Sequence, residues 1–301
     1  MNVSDISRND NPEGGYSGNN KDLPIAFQGE PGAYSEEAIF EHYADQTGAP
    51  VSLPCRSFSD VFTAVSGGQA RLGFVPIENS LAGSIYQNYD LLTRSQLWVI
   101  GEHYLRVRHC LIAQPGVKKE DVRKVISHPQ ALMQCDGYLS RMPGIVAEEV
   151  YDTAGSVKML SENGPRDVAA IASRRAAQLY GMPILDEGIE DDTANFTRFL
   201  IIARQAVQPE GPAKTSIVFT LKNEPGALFK SMSVFALRNI DLTKIDSRPL
   251  VGKPWDYFFY LDFKGAPHDP VVQKALDNLS EFALMLRVFG SYPNSRAGSQ
   301  T

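Results

Sequence analysis

Short apolar runs that end in small polar residues, each followed by a helical pattern, recur along the first two thirds of this 301-residue chain. Such runs are typical of buried strands, and their alternation with helices builds a parallel or mixed sheet. Ligands of these sheets bind where the strands end on their carboxyl side. The pattern therefore predicts an α/β fold with functional side chains at the strand ends. The polar ends are Glu78-Asn79-Ser80, Ser127, Asp152-Thr153 and Ser173.

The stretch from Asn195 to Phe199 is the most informative of these segments. The apolar residues 200–203 after it predict a buried strand that brings Thr197 and Arg198 side by side to a sheet edge. A guanidinium can grip a carboxylate with two parallel hydrogen bonds, and a hydroxyl can donate to a departing oxygen anion. The alternative for an isolated Thr-Arg pair is a strand start whose Arg faces solvent.

A glycine-containing turn at residues 29–35, which includes Tyr34 and Ser35, follows a predicted strand and precedes a predicted helix at 36–43. Free backbone N–H groups at a helix start favour an anion, so the turn predicts an anion site. A plain turn with a serine cap is the alternative.

Ser127 suits the N-cap of the next predicted helix, and Gln134 lies about two turns along that helix. His128, beside a proline, is interpreted either as a catalytic residue or as a structural one.

Composition limits the function classes. The net charge of −6 argues against a nucleic-acid-binding protein, which would need a basic face. The chain has no GxGxxG or GxxxxGK[ST] motif, and its five histidines show no ligand spacing, so neither a nucleotide cofactor nor a metal is predicted.

Sparse cysteines and the lack of a long apolar run argue against a disulfide framework and a membrane span. The cysteines are Cys55, Cys110 and Cys135. The first two dozen residues lack the core of a signal peptide. We therefore expect a cytoplasmic protein, or a plastid one if a targeting segment has been removed.

Composition also predicts the domain boundaries. Residues 1–23 and 294–301 are predicted to be disordered tails, 24–204 two α/β lobes, 205–213 a linker and 214–293 a second domain. The second domain shows the β-α-β-β-α-β order of a ferredoxin-like fold. Its core is small, which favours pairing with a second copy of the chain.

Five motifs in the first domain occur together and in a fixed order. They are Gly32-Ala33-Tyr34-Ser35, Pro76-Ile77-Glu78-Asn79-Ser80, Ser127-His128-Pro129-Gln130-Ala131-Leu132, Asp152-Thr153-Ala154-Gly155-Ser156 and Thr197-Arg198-Phe199. Each is weak alone, but together they resemble the prephenate dehydratase family.

Two motifs in the second domain resemble the phenylalanine-binding motifs of the ACT regulatory domain found in these enzymes. They are Gly226-Ala227-Leu228-Phe229 and Asp246-Ser247-Arg248-Pro249. The second motif usually begins with Glu. Asp246 keeps the charge and shortens the side chain by one carbon.

The resemblance implies a catalytic region of two lobes, like a type 2 periplasmic binding protein, with the substrate in the cleft and an ACT domain after it. It implies prephenate or its transaminated form arogenate as substrate, and phenylpyruvate or phenylalanine as product. The implied catalytic residues are Thr197, Asn79, Ser127 and Gln134. The implied substrate-binding residues are Arg198, Phe199, Glu78, Ser80, Ser84, Tyr34, Ser35, Thr153, Ala154 and Gly155.

The reaction fits these residue types. The substrate ring loses a carboxylate as CO2 and a hydroxyl as water, and aromatisation drives both losses, so no cofactor is required. We interpret Thr197 as a donor aimed at the leaving oxygen.

The resemblance also implies regulation by L-phenylalanine. The effector would bind at residues 226–229 and 246–249, between subunits of a homodimer or homotetramer. No nucleic-acid or membrane partner is predicted.

Three other functions remain to be distinguished. Arogenate dehydratase, or a dual activity, would need a partner for the substrate ammonium, for which Glu78 is one candidate. A non-catalytic amino-acid-binding protein is less consistent with Thr197, Arg198 and Asn79. A metal-dependent hydrolase has little support.

Overall fold

The computed structural model describes residues 23–295 apart from 163, 251, 253 and 254, so the predicted tails fall almost wholly outside the described residues. The described chain packs into two compact units. The first unit is Leu23–Asn88 with His103–Phe199, and the second is Tyr89–Glu102 with the residues from Leu200 onward.

Strands and helices alternate through the first two thirds of the chain. In chain order they are β1 (Ile25–Gln28), α1 (Tyr34–His42), β2 (Ser52–Cys55), α2 (Phe58–Ser66), β3 (Leu72–Asn79), β4 (Gly83–Ser84), α3 (Tyr86–Arg94), β5 (Trp98–Arg106), β6 (Cys110–Ala113), β7 (Lys124–Ser127), α4 (Pro129–Gln134), α5 (Asp136–Leu139), β8 (Val146–Glu149), α6 (Thr153–Ser161), β9 (Val168–Ala172), α7 (Arg174–Leu179), β10 (Ile184–Glu187) and β11 (Phe196–Ala203).

These strands form two sheets. The first has the order β2-β1-β3-β11-β5, with β1 parallel to β2 and β3, and the short β4 pairs antiparallel with the end of β3. The second has the order β10-β6-β9-β7-β8 and mixes parallel and antiparallel pairs. The prediction of an α/β fold is therefore confirmed, with mixed sheets, and β11 joins the first sheet beside β3.

Several polar residues that follow strands cap helices. Ser57 accepts the Asp60 N–H at 3.2 Å and forms a capping box at the start of α2. Asp152 accepts the Gly155 N–H at 2.8 Å, and Ser173 accepts the Ala176 N–H at 2.9 Å. These side chains satisfy N–H groups that a helix start leaves without partners, so part of the polar pattern of the sequence has a local structural origin.

The second unit contains a β-α-β-β-α-β module. Its elements are β12 (Ala213–Leu221), α8 (Ala227–Ala236), β13 (Leu242–Pro249), β14 (Tyr257–Lys264), α9 (Pro270–Phe282) and β15 (Ala283–Pro293). The strands form one antiparallel sheet in the order β13-β14-β12-β15, and the predicted element order is confirmed. Its core joins strand residues such as Phe219 and Phe263 to Phe235 of α8 and Leu276 of α9.

The segment Tyr89–Glu102 belongs to the same unit through specific contacts. The ring of Tyr89 lies 4.3 Å from that of Tyr260, and Glu102 forms a buried ion pair with Lys214, whose Nζ lies 2.7 Å from Oε1. The Arg287 guanidinium donates to the carbonyls of Leu92 and Thr93 at the end of α3. These bonds satisfy carbonyls that a helix end leaves open.

Within the described residues, no helix is both long and apolar enough to cross a membrane.

Candidate active site

A hydrogen bond joins Asn79, at the end of β3, to Thr197 in β11. Nδ2 of Asn79 donates to Oγ1 of Thr197 at 3.0 Å, while Oδ1 of Asn79 accepts the N–H groups of Leu81 (3.0 Å) and Ala82 (2.9 Å). Backbone N–H groups can only donate, so they fix the orientation of the Asn79 carboxamide. The hydroxyl proton of half-buried Thr197 has no acceptor among the described residues, which leaves it available to a ligand.

The same network extends to α4 and to the residue before β6. Nδ2 of Asn79 also donates to Oδ1 of Asn195 at 2.8 Å, and Nδ2 of Asn195 donates to Oε1 of Gln134 at 3.0 Å. That oxygen lies 2.9 Å from Nε2 of His109, whose Nδ1 lies 2.6 Å from the hydroxyl of Tyr34. The chain of contacts thus brings together three predicted site residues, Asn79, Gln134 and Tyr34.

Gln134 presents its amide nitrogen. The residue ends α4 and is half-buried, and its Oε1 is used by the two contacts above. Its Nε2 has no hydrogen-bond partner in the described part of the chain. Two N–H donors are therefore available for an acceptor such as a carboxylate.

Burial favours the neutral forms of the two titratable side chains in this network, His109 and Tyr34. Loss of hydration lowers the pKa of His109, and this outweighs the raising effects of the Gln134 hydrogen bond and the Glu190 charge. Burial, followed by the Glu37 charge, raises the pKa of Tyr34 well above its usual value. The backbone N–H of His109 donates to Oε2 of Glu190 at 2.9 Å. The donors that the network offers to a ligand, the Thr197 hydroxyl and the Gln134 amide, are uncharged.

Arg198 directly follows Thr197 in β11, a strand in which successive side chains alternate between the two faces of the sheet. Arg198 is only 5% exposed, which rules out the solvent-facing alternative. Its guanidinium carbon lies 6.0 Å from the ring centre of Tyr104 in β5.

Ser127 is not the helix cap that the sequence predicts. Its hydroxyl is fully buried and donates to the carbonyl of Ile171 in β9 at 2.6 Å. The N-cap of α4 is His128, whose Nδ1 accepts the Gln130 N–H at 3.2 Å. The helix starts one residue later than expected because Pro129 occupies its first position, where a missing N–H does no harm. His128 therefore has a structural contact as the cap of α4.

Two glycine N–H groups of the turn before α1 are bound within the protein. The N–H of Gly32 donates to Oε2 of Glu36 at 2.8 Å, and the N–H of Gly29 donates to the Cys55 carbonyl at 3.0 Å. Glu36 also accepts from Ser52 at 2.6 Å and from Nε of Arg175 at 2.8 Å. Glu36 thus takes one of the N–H groups that the turn offers, and the anion site stays a prediction.

The remaining predicted residues near β3 and β11 occupy varied positions. Glu78 pairs with Ser84 across β3 and β4. The Ser80 hydroxyl donates to the Ala194 carbonyl at 2.6 Å and accepts the Phe196 N–H at 2.9 Å. The side chains of Ser35 and Phe199 are buried.

The predicted residues of α6 lie at its start. Thr153 is half-buried, and Ala154 and Gly155 are buried. A Cβ on Gly155 would lie 2.5 Å from the ring of the exposed Tyr151, which would have to move.

One predicted effector segment follows β12 and the other forms the end of β13, and these two strands end on the same side of the sheet. Gly226, at φ 79°, caps α8 just after β12, and Arg248 lies near the end of β13. Phe258 of β14 pairs with Thr220 of β12 on one side and with Arg248 on the other. Thr220 and Arg248 are therefore about 10 Å apart, two strand spacings, and Gly226 follows the end of β12 by five residues.

Individual effector residues differ in exposure and contacts. Phe229 is 77% exposed, and Arg248 forms an ion pair with Asp90 at 2.8 Å. The Ser247 N–H donates to Oδ1 of Asp246 at 2.8 Å. A Cβ on Gly226 would meet no atom within 4 Å, so its positive φ rather than crowding favours glycine there.

Sequence reasoning did not assign His109 or Asn195 to the site. Asn195 directly precedes the Thr197 strand, which is a usable signal. His109 precedes the buried strand β6, and nothing in its neighbourhood distinguishes it from a packed histidine. Among the described residues, no group of three or more His, Cys, Asp or Glu side chains is placed to hold a metal ion.

Comparisons with known proteins give the family. The family model described as prephenate dehydratase matches residues 25–207. Arogenate dehydratase/prephenate dehydratase 2, chloroplastic, of Arabidopsis thaliana is 48% identical over 286 residues, which cover 91% of this chain and 74% of the relative.

Two solved structures are also similar over the whole length. A prephenate dehydratase of Arthrobacter aurescens in complex with L-Phe is 31% identical with a TM-score of 0.82, covering 91% of this chain and 90% of that one. A protein described as GqqA, a novel type of quorum quenching acylases, is 37% identical with a TM-score of 0.82, covering 91% and 99%.

The fold and the matches together define an enzyme of the dehydratase class, a carbon–oxygen lyase. The chain belongs to the prephenate dehydratase family.

Proposed function

We propose that the protein catalyses the decarboxylating dehydration of prephenate to phenylpyruvate, a step of phenylalanine biosynthesis. The observation that carries this proposal is the hydrogen bond from Asn79 to Oγ1 of Thr197. Because the oxygen of Thr197 accepts this bond, the hydroxyl proton points elsewhere and the oxygen is polarised as a donor. A donor with this orientation suits a departing hydroxyl group.

The chemistry then needs little more than positioning. The C–C bond to the ring carboxylate breaks and releases CO2, and its electron pair enters the ring. The C–O bond to the ring hydroxyl breaks at the opposite carbon, and the leaving oxygen takes up one proton to become water. Thr197 would stabilise the negative charge that develops on this oxygen. Stabilisation of such a charge by an aimed donor is usually the largest single contribution to a rate enhancement.

The other polar groups would bind the substrate carboxylates. Nε2 of Gln134 offers two donors to one carboxylate, and Arg198 remains the proposed anchor for a carboxylate through its guanidinium fork. Ser127 is buried and bonded to a carbonyl, which favours a supporting role for it. The proposed cleft lies between the two lobes of the first unit, as in type 2 periplasmic binding proteins.

Matched variants of Thr197 test the proposal. Thr197→Val keeps the shape and removes the donor, so we expect kcat to fall by about 10²–10³. Thr197→Ser keeps the hydroxyl and should retain most of the activity. Phenylpyruvate formation is followed by its absorbance. If Thr197→Val retains kcat within a few-fold, Thr197 is not the donor. Turnover by the parent protein also decides against the non-catalytic binding protein.

Arogenate is the second candidate substrate, because relatives such as the Arabidopsis protein are named for both activities. Arogenate differs from prephenate by an ammonium in place of the keto group, and Glu78 remains the candidate to bind it. The values of kcat/KM for the two purified substrates distinguish the activities, with phenylalanine as the product of the second.

An acylase activity is less consistent with the site. Acyl transfer by Thr197 would need a base at its hydroxyl, whereas the group that contacts Thr197 is a carboxamide donor. An acylated quorum-sensing signal serves as the control substrate in the same assays, and we expect no hydrolysis.

We also propose that the β-α-β-β-α-β module is an ACT domain that binds L-phenylalanine at residues 226–229 and 246–249. The family structure bound to L-Phe supports this assignment. The exposed Phe229 and Ile245 favour an effector site between subunits of a homodimer or homotetramer. Calorimetry of phenylalanine binding beside initial rates tests it: we expect binding and inhibition. If phenylalanine neither binds nor changes the rate, the regulatory assignment fails and the catalytic one stands.

A further inference from the structure

We propose that His109 is a positioning residue of the active site, which together with Asn195 holds the oxygen of Gln134 so that the Gln134 amide nitrogen faces the substrate. This role rests on the proposed function, since it supposes an anionic substrate at Gln134. The histidine itself is only 2% exposed and touches the site through its two ring nitrogens.

The directions of the hydrogen bonds from Asn79 to Nε2 of His109 follow from the fixed Asn79 end of the chain. The N–H groups of Leu81 and Ala82 occupy Oδ1 of Asn79, so Nδ2 of Asn79 must donate to Asn195. Oδ1 of Asn195 is then an acceptor and its Nδ2 a donor, which makes Oε1 of Gln134 the acceptor.

The direction of this chain determines the tautomer of His109. A carboxamide oxygen cannot donate, so the contact of 2.9 Å to Gln134 requires a proton on Nε2 of His109. Nδ1 lies 2.6 Å from the Tyr34 hydroxyl, whose single proton has two acceptors within reach, Nδ1 and the Arg108 carbonyl at 3.2 Å. The shorter distance, together with the burial that lowers the pKa of His109, favours an unprotonated Nδ1 that accepts from Tyr34.

His109 and Asn195 both donate to Oε1 of Gln134, and this determines which end of the Gln134 carboxamide faces a ligand. A rotated carboxamide would place its NH2 group against the N–H donors of Asn195 and His109, which is unfavourable for buried polar groups. Oε1 is therefore held inward and Nε2 outward. Removal of the His109 donor leaves Asn195 alone to prevent this rotation, while the Asn79–Thr197 bond remains.

Two variants of His109 separate its donor from its bulk. His109→Phe keeps a ring but removes the donor to Gln134. His109→Gln places an NH2 group near the position of Nε2 and keeps the donor. The side-chain carboxylate of the substrate does not react, so Gln134 bound to it would act equally in the ground and transition states. His109→Phe should therefore raise KM about tenfold with kcat within about threefold. His109→Gln should keep both constants within about threefold of the parent.

His103→Phe is the matched control. His103 is another largely buried histidine of the first unit, and its contacts are with Glu41 and His42, outside the network. We expect its kinetic constants to equal those of the parent. A parental KM in His109→Phe, or an equal loss in His109→Gln, would overturn the proposal.

A measurement independent of turnover covers the case in which His109→Phe does not fold or the parent enzyme uses neither substrate. Long-range ¹H–¹⁵N NMR of the ¹⁵N-histidine-labelled full chain, assigned by the signal missing in His109→Gln, should show the neutral Nε2–H tautomer at pH 7. A neutral Nδ1–H tautomer or a charged ring contradicts the proposal. Failure of the parent to convert prephenate or arogenate contradicts the proposed function instead, and the tautomer then decides the positioning role.

Discussion

Glu37 of α1 allows a quantitative prediction because burial raises its pKa from 4.5 to about 7. Lost hydration is the main cause, and the charge of Glu41, one helical turn further on, adds to it. A backbone hydrogen bond from Arg175 and the positive charges of Arg175 and Arg174 act in the opposite direction without cancelling the shift.

The sign of the effect on stability follows from proton binding. The folded protein binds the Glu37 proton more tightly than the unfolded chain, so the free energy of unfolding falls as the pH rises from about 4.5 to 7. A shift from 4.5 to about 7, at 1.36 kcal/mol per unit, corresponds to about 3 kcal/mol above pH 7 and to less than ~1 kcal/mol at pH 5.

Glu37→Gln removes the charge and keeps the size of the side chain. We expect this variant to be more stable than the parent by up to about 3 kcal/mol at pH 8 and nearly equal to it at pH 5. Urea unfolding at both pH values measures the difference. Glu149→Gln, on the exposed strand β8, is the control and should show no such dependence. A stabilisation by Glu37→Gln that is the same at both pH values would refute the burial argument.

Three further substitutions test other parts of the structure. Arg198→Lys keeps the charge but loses the guanidinium fork, so KM should rise by about tenfold or more, and an unchanged KM would exclude Arg198 as the anchor. Gly32→Ala should lower the free energy of unfolding by about 1–3 kcal/mol, because its Cβ would lie 2.8 Å from Cα of Ala176. Gly48→Ala, which has a similar φ but nothing within 4 Å, is its control, and equal losses would refute the clash. Gly226→Val should weaken phenylalanine binding in calorimetry through backbone strain at φ 79°, and parental affinity would contradict that assignment.

Local sequence patterns predicted the helices and strands well but predicted hydrogen-bond partners in the site poorly. The turn at Gly32 carries the glycines and the helix start of an anion site, yet its N–H is bound by Glu36, four residues later. Likewise Ser127 has the residue type of a cap, while the hydrogen bond of its hydroxyl goes to Ile171, 44 residues away. Residue type predicts what a group can bind, and only packing decides which partner it meets.

The sequence by itself determined the α/β alternation and the β-α-β-β-α-β order, and it singled out the polar residues Asp152 and Ser173, which cap helices. These depend on hydrophobic periodicity and on side chain–backbone bonds within a few residues, which the local sequence contains. Tertiary structure alone decided that Asn79 meets Asn195 across 116 residues and that Tyr34 meets His109 across 75. It also decided the buried position of Arg198, because burial depends on which strands lie on either side of β11 and on the layers that cover them.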